Sequence, residues 1–138
     1  MKPLVYRGCF NQELIMDKVV HFEIPVDNAE RAKKFYSIFG WQTLEFPEMD
    51  YIGVRTVPVD DKHMPIEPGA INGGMTKRSP HLKAPAIAIQ VDSIDASIKK
   101  AIAAGGKVVM PKKEIGGMGY YAYIADTEGN TLGLWQNA

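Results

Sequence analysis

The sequence predicts an α+β fold in which two tandem β-α-β-β-β modules form one cupped mixed sheet, with the helices on its convex face. Three observations predict it. The stretch HFEIPVDNAERAKKFYSIFG, residues 21 to 40, is echoed without a gap by AIAIQVDSIDASIKKAIAAG, residues 86 to 105, at an offset of 65 positions from His21 to Ala86. Each copy is followed by three further strand-like segments. One such unit is too small to bury its sheet well, whereas two side by side make a larger sheet with a concave open face.

Each copy opens on a strand. Val20, Phe22, Ile24 and Val26 share one face, with His21 and Glu23 on the other. That period of two marks a strand with one buried face. In the second copy Ile87, Ile89 and Val91 repeat the apolar face, and Ala86, Ala88 and Gln90 take the other. A helix follows in each. Asp27 or Asn28, and Asp92 or Ser93, are placed to accept hydrogen bonds from its free N–H groups. Ala32, Phe35, Tyr36 and Phe39 fall at spacings that predict one apolar stripe. Gly40 and Gly105–Gly106 fit the left-handed position that ends a helix.

The remaining strands of module one are WQTLEF, YIGVRTV and GAINGGMT, with the Pro- and Asp-rich loop PVDDKHMPIEP between the last two. Those of module two are GKVVMP, GYYAYIAD and NTLGLWQ, with DTEGN as a turn before the last. The linker lies near TKRSPHLKAP. Module one therefore spans about 17–78 and module two about 84–137, within a single domain from 16 to 138, and residues 1–15 read as an N-terminal extension.

Composition narrows the function. Hydrophobic residues are 46 % and charged residues 23 % of the chain, ordinary globular values. Sixteen basic side chains balance sixteen acidic ones. A net charge of zero gives no electrostatic reason to expect a nucleic acid or an anionic membrane as partner. The Lys99–Lys100 and Lys112–Lys113 pairs read as solvated faces. Cys9 is the one cysteine, so no internal disulfide is expected. The first residues carry charges and lack a continuous apolar core, unlike a signal peptide, and a cytoplasmic location is expected. GGMG, residues 116 to 119, lacks the Lys-Ser/Thr ending of a phosphate loop and reads as a hairpin.

The paired modules, together with HFEIPVDNAERAKKFYSIFGW near the start and GMGYYAYIADTEGNTLGLWQ near the end, resemble the vicinal oxygen chelate superfamily. That superfamily holds glyoxalase I, extradiol dioxygenases and bleomycin-resistance proteins. The resemblance implies the fold and is weak for the reaction. Metal-using members hold the ion in the sheet cup, with ligands from the first and last strands of the modules. Carried over by position, those places fall on His21, about Asn72, Ala86 and Gly133. A divalent metal wants three or more protein ligands, and Ala and Gly side chains supply none. No metal and no cofactor is therefore expected. His63 and His81 sit in a loop and the linker and read as exposed.

His21 and Glu23 are the candidate catalytic residues. A strand-borne His beside a carboxylate exchanges protons near neutral pH, or is a polar pair that water or a partner satisfies. Candidate ligand-binding residues are Arg55, whose fork suits a carboxylate or phosphate, with Asn72, Tyr121, Tyr123 and Trp135. Gly133 beside Trp135 is expected to widen the pocket where a metal ligand would sit. The expected function is binding of a small-molecule ligand in the cup, with the reaction open. The alternatives are a metal-dependent lyase or dioxygenase with ligands not identified, and a dimeric antibiotic-sequestering resistance protein; an enzyme here would be a lyase, isomerase or dioxygenase. A homodimer is expected from the sheet edges and aromatic faces to be covered.

Overall fold

The computed structural model describes residues 16–138; the expected extension over residues 1–15 lies outside the described residues. Module one consists of β1 (Val19–Val26), α1 (Ala29–Tyr36), β2 (Gln42–Phe46), β3 (Tyr51–Arg55) and β4 (Asn72–Lys77). Module two consists of β5 (Ala86–Gln90), α2 (Ile94–Ala103), β6 (Lys107–Ile115), β7 (Gly119–Ala125) and β8 (Thr131–Asn137). The strands form one eight-stranded sheet in the order β2-β3-β4-β1-β5-β8-β7-β6. The first and last strands of each module are parallel, β1 with β4 and β5 with β8. The modules join through antiparallel β1 and β5, with Phe22 opposite Ile87 and Glu23 opposite Ala86.

Side-chain alternation sorts the sheet into two faces. On one, Phe22, Ile24 and Val26 pack with Ile52, Val54 and Met75 against Ala29, Ala32 and Tyr36 of α1. On the same face, Val91 and Ile89 join Ala122, Ile124 and Leu134 under Ile94 and Ile98 of α2. Val54 and Ile94 are all but sealed from solvent, and burial on that scale is worth about 1.5–3 kcal/mol per side chain. His21 and Glu23 therefore face away from the helices.

The helix ends follow the predicted signals. The Asn28 side chain accepts from Arg31 N–H at 2.9 Å, and the Ser93 side chain from Ala96 N–H at 3.1 Å. Gly40 and Gly105 have φ of 78° and 101°. In the 126–130 turn the Asp126 carboxylate accepts from the backbone N–H groups of Glu128 and Asn130. Residues 116–118 close the β6–β7 hairpin, with Gly116 and Gly117 at positive φ. Among the described residues no helix is long and apolar enough to cross a membrane.

Four details differ from expectation. The stripe of α1 breaks: Ala32 and Tyr36 pack inward, while Phe35 and Phe39 are 57 % and 60 % exposed. Phe35 lies within the helix, on its outward side; the helix ends at Tyr36, and a 3₁₀ turn over Ser37–Phe39 carries Phe39 off the helical face. β6 runs past Pro111 to Ile115, because an edge strand tolerates Pro and its register slips there. The linker also contributes core: Leu82 is buried with Ala86, Ala88, Tyr121 and Tyr123.

The fourth difference is Asn72. Its Oδ1 accepts from the backbone N–H of Thr56 at 2.8 Å and of Val57 at 3.2 Å, and from the Thr56 hydroxyl. It pins the chain where β3 leaves the sheet rather than offering a free amide to a ligand. Asn72→Ala is expected to cost about 1–3 kcal/mol by stranding those donors, measured by urea unfolding; an unchanged midpoint would refute the bracket.

Candidate functional site

The site is built on the helix-free face around the β1–β5 seam. β1 supplies His21 and Glu23, two residues apart and so on the same face. Glu23 is 6 % exposed, the one buried charged side chain among the described residues. Such a group needs partners. Its Oε1 accepts from the Tyr123 hydroxyl at 2.6 Å, within the short range of a bond to an ionised acceptor. Its Oε2 lies 3.5 Å from His21 Nε2, and that nitrogen is hydrogen-bonded to the Tyr51 hydroxyl at 2.7 Å. The result is a chain from Tyr51 through His21 and Glu23 to Tyr123, linking three strands from both modules.

Tyr121 completes the group. Its ring meets Tyr123 edge-on, with centroids 5.2 Å apart. Its hydroxyl is buried and has no hydrogen-bond partner among the described residues. Burial first, and then the Glu23 charge, push the hydroxyls of Tyr51, Tyr121 and Tyr123 well above the ordinary phenol range. All three are protonated at neutral pH.

Two glycines make this packing possible. A Cβ at Gly133 would overlap the Tyr121 hydroxyl, and one at Gly74 would overlap the Tyr51 hydroxyl. The two arrangements correspond across the repeat. Glu23 pairs with Gly74, and its 65-offset counterpart Ala88 pairs with Gly133. The module-one counterpart of Gly133 is thus Gly74, not Asn72, which lies two residues earlier on the same face. The expected widening at Gly133 is absent, because the Tyr121 hydroxyl fills the notch. Trp135 packs beside Tyr121 at 6.3 Å, and its Nε1 donates to Asn137 Oδ1 at 2.7 Å.

Tyr51 went unnoticed in the sequence. The signal was available: YIG in β3 places a Tyr two residues before a Gly that pairs with Gly74. The candidates His21, Glu23, Tyr121 and Tyr123 converge. Trp135 borders them, Asn72 is committed to the backbone, and Arg55 stands two strands from His21. His63 and His81 are exposed.

The divalent metal that the fold's metal-using relatives carry does not fit these residues. Gly74, Ala86 and Gly133 carry no donor atom, and the space a ligating side chain at 133 would take holds a phenol. One imidazole and one carboxylate fall short of the three or more donors such an ion wants. Among the described residues there is no cluster of three or more His, Cys, Asp or Glu side chains.

Comparison with known proteins agrees with the fold. Residues 18–56 match the family model described as bleomycin resistance protein-like N-terminal. A Mycobacterium bovis protein carrying a provisional glyoxylase name, CFP32, is 33 % identical over 120 residues, covering 83 % of this chain. The chain spans 43 % of that relative's length. A glyoxalase/bleomycin resistance/dioxygenase superfamily member from Vibrio splendidus superposes with a TM-score of 0.57 at 12 % identity, over 88 % of this chain and all of the other. An H200Q variant of homoprotocatechuate 2,3-dioxygenase from B. fuscum superposes with a TM-score of 0.55 at 16 % identity, over 88 % of this chain and 32 % of the enzyme. At such identities the superpositions speak for the fold alone.

The interlock makes opposite predictions for its two members. Gly133→Ala forces the Tyr121 ring to move and is expected to destabilise by about 1–3 kcal/mol. Tyr121→Phe removes a buried hydroxyl without a partner and is expected to be neutral or stabilising. Thermal and urea unfolding of both variants check this; a stable Gly133→Ala with a badly destabilised Tyr121→Phe would reverse it.

Proposed function

Because this chain belongs, by sequence and by fold, to the vicinal oxygen chelate superfamily, we propose that it binds a small molecule on the helix-free face and exchanges protons with it through Glu23 and His21. The observation that carries this reading is the Glu23 carboxylate: buried, held by Tyr123 on one oxygen, and turned toward His21 on the other. The imidazole is about one-third exposed and so connects the buried acid to the outside. An imidazole can take up and give back a proton, and an adjacent carboxylate orients it. The three phenols raised above their ordinary range beside this pair are perturbed groups of the kind that gather at functional sites more often than chance.

A second reading, sequestration of an antibiotic, draws on the bleomycin resistance-like match over residues 18–56. It shares the site and differs in lacking turnover.

The test is a thermal-shift screen of a small-molecule library against the wild type and Glu23→Gln. A ligand that prefers the native state raises its melting temperature. The proposal expects hits whose shift falls by half or more in Glu23→Gln. Hits indifferent to both Glu23→Gln and His21→Ala would place the ligand elsewhere and overturn it.

A further inference from the structure

The helix-free face is divided unequally. Module two's half is filled by a buried cluster of Leu82, Ala86, Ala88, Tyr121 and Tyr123, closed by Met110 and Trp135 among others. In module one the buried cluster lies on the helix side, and among the described residues no comparable one covers the other face. Module one's half of that face is therefore the less filled one.

Strand register gives its chemistry. His21 pairs with Asn72, and Arg55 pairs with Gln42. Val54 pairs with Gly73, which sets Arg55 beside Asn72. Gln42, Arg55, Asn72 and His21 thus form one row across β2, β3, β4 and β1. Ile52 and Val54 belong to the helix-side core, so alternation places Arg55 on the same face as His21. The two stand two strand spacings apart, about 10 Å between Cα atoms. Asn72, between them, is occupied by Thr56 and Val57.

Arg55 is half-buried and makes no ion pair among the described residues, whereas Arg78 pairs with Asp27 and Lys112 with Asp95. A partly desolvated guanidinium favours an anion, and its fork matches a carboxylate. In the adjacent row, Gly53 and Gly74 pair and carry no side chains. The rings of Phe46 and Tyr51, 6.3 Å apart, lie over them; a Cβ at Gly53 would stand 3.1 Å from the Phe46 ring. An aromatic surface thus runs from Arg55 toward His21 and Glu23.

We infer that the cup takes a small monocarboxylic acid, with its carboxylate on Arg55, its apolar middle over Phe46 and Tyr51, and its uncharged far end at His21 and Glu23. This rests on the reading that a small molecule binds in the cup. A second carboxylate at the far end would meet the buried charge of Glu23, so monoacids are favoured over diacids.

The experiment is calorimetric titration of the full chain with 4-hydroxybenzoate, 4-hydroxybenzamide and terephthalate, and with 4-hydroxybutyrate and its amide. The proteins are the wild type, Arg55→Gln and Arg55→Lys, with circular dichroism as a check on folding. The expected result is that at least one acid binds about tenfold or more tighter than its amide, in line with the stronger bond to a charged acceptor. Terephthalate should bind more weakly than 4-hydroxybenzoate. Arg55→Gln should abolish the acid's advantage and Arg55→Lys retain part of it. Equal binding of acid and amide, or an acid advantage that survives in folded Arg55→Gln, would overturn the inference. If neither acid binds, yet a neutral ligand dependent on Glu23 emerges from the screen, this inference falls and the proposed function stands; if no ligand of either kind binds, both fall.

Discussion

A strand residue without a Cβ lets a neighbouring ring lie against the backbone, and the centre of this sheet depends on that approach twice. Tyr51 lies over Gly74 and Tyr121 over Gly133, at positions related by the internal repeat. Alanine at either glycine would collide with a tyrosine hydroxyl, so the ring would have to move. Glycine weakens a strand through chain entropy and lost packing. Here the rings that occupy the vacated space restore contact and bring hydroxyls to the seam between modules.

Glu23 depends on that seam. A carboxylate this buried is costly unless it is hydrogen-bonded, and it comes from module one while its donor, Tyr123, comes from module two. Antiparallel pairing of β1 with β5 brings them together, with Ala86 opposite Glu23 leaving room for the approach. The same arrangement makes the two halves of the cup unlike. Module two spends its open face on tyrosines, alanines and Leu82. Module one keeps His21 and Arg55 on a face paved by two rings. Two modules of similar topology thus differ in how far this face is filled.

Much of the fold was legible because its signals are local. Alternation in residues 19–26 separates Phe22 and Ile24 from His21 and Glu23, and Asn28, Ser93, Gly40 and Gly105 cap the helices as their chemistry requires. What escaped was long-range. The register of β4 against β1 decides whether Asn72 or Gly74 answers Gly133, and a strand pattern alone does not fix register. Gly133 beside Trp135 suggests space, but a residue on the neighbouring strand fills it. Leu82 is a single apolar residue in a polar linker, and only the folded chain brings it over Ala88. Phe39 has helical spacing, yet a 3₁₀ turn carries it into solvent.

The central claim is that three desolvated phenols, Tyr121 and Tyr123 buried and Tyr51 partly buried, gather about the His21–Glu23 pair. It has a direct pH consequence. For Tyr51, Tyr121 and Tyr123 the folded chain holds the proton more tightly than the unfolded chain does. The stability this contributes is intact below the ordinary phenol range and is lost as pH rises through it, because the unfolded state ionises first. Phenolate absorbance, followed during alkaline titration alongside far-ultraviolet circular dichroism, reads this out. The prediction is that three of the six tyrosines stay un-ionised as long as the protein is folded, even at about pH 11, and ionise together when it unfolds. Ionisation of all six in a protein whose circular dichroism is still native would contradict it.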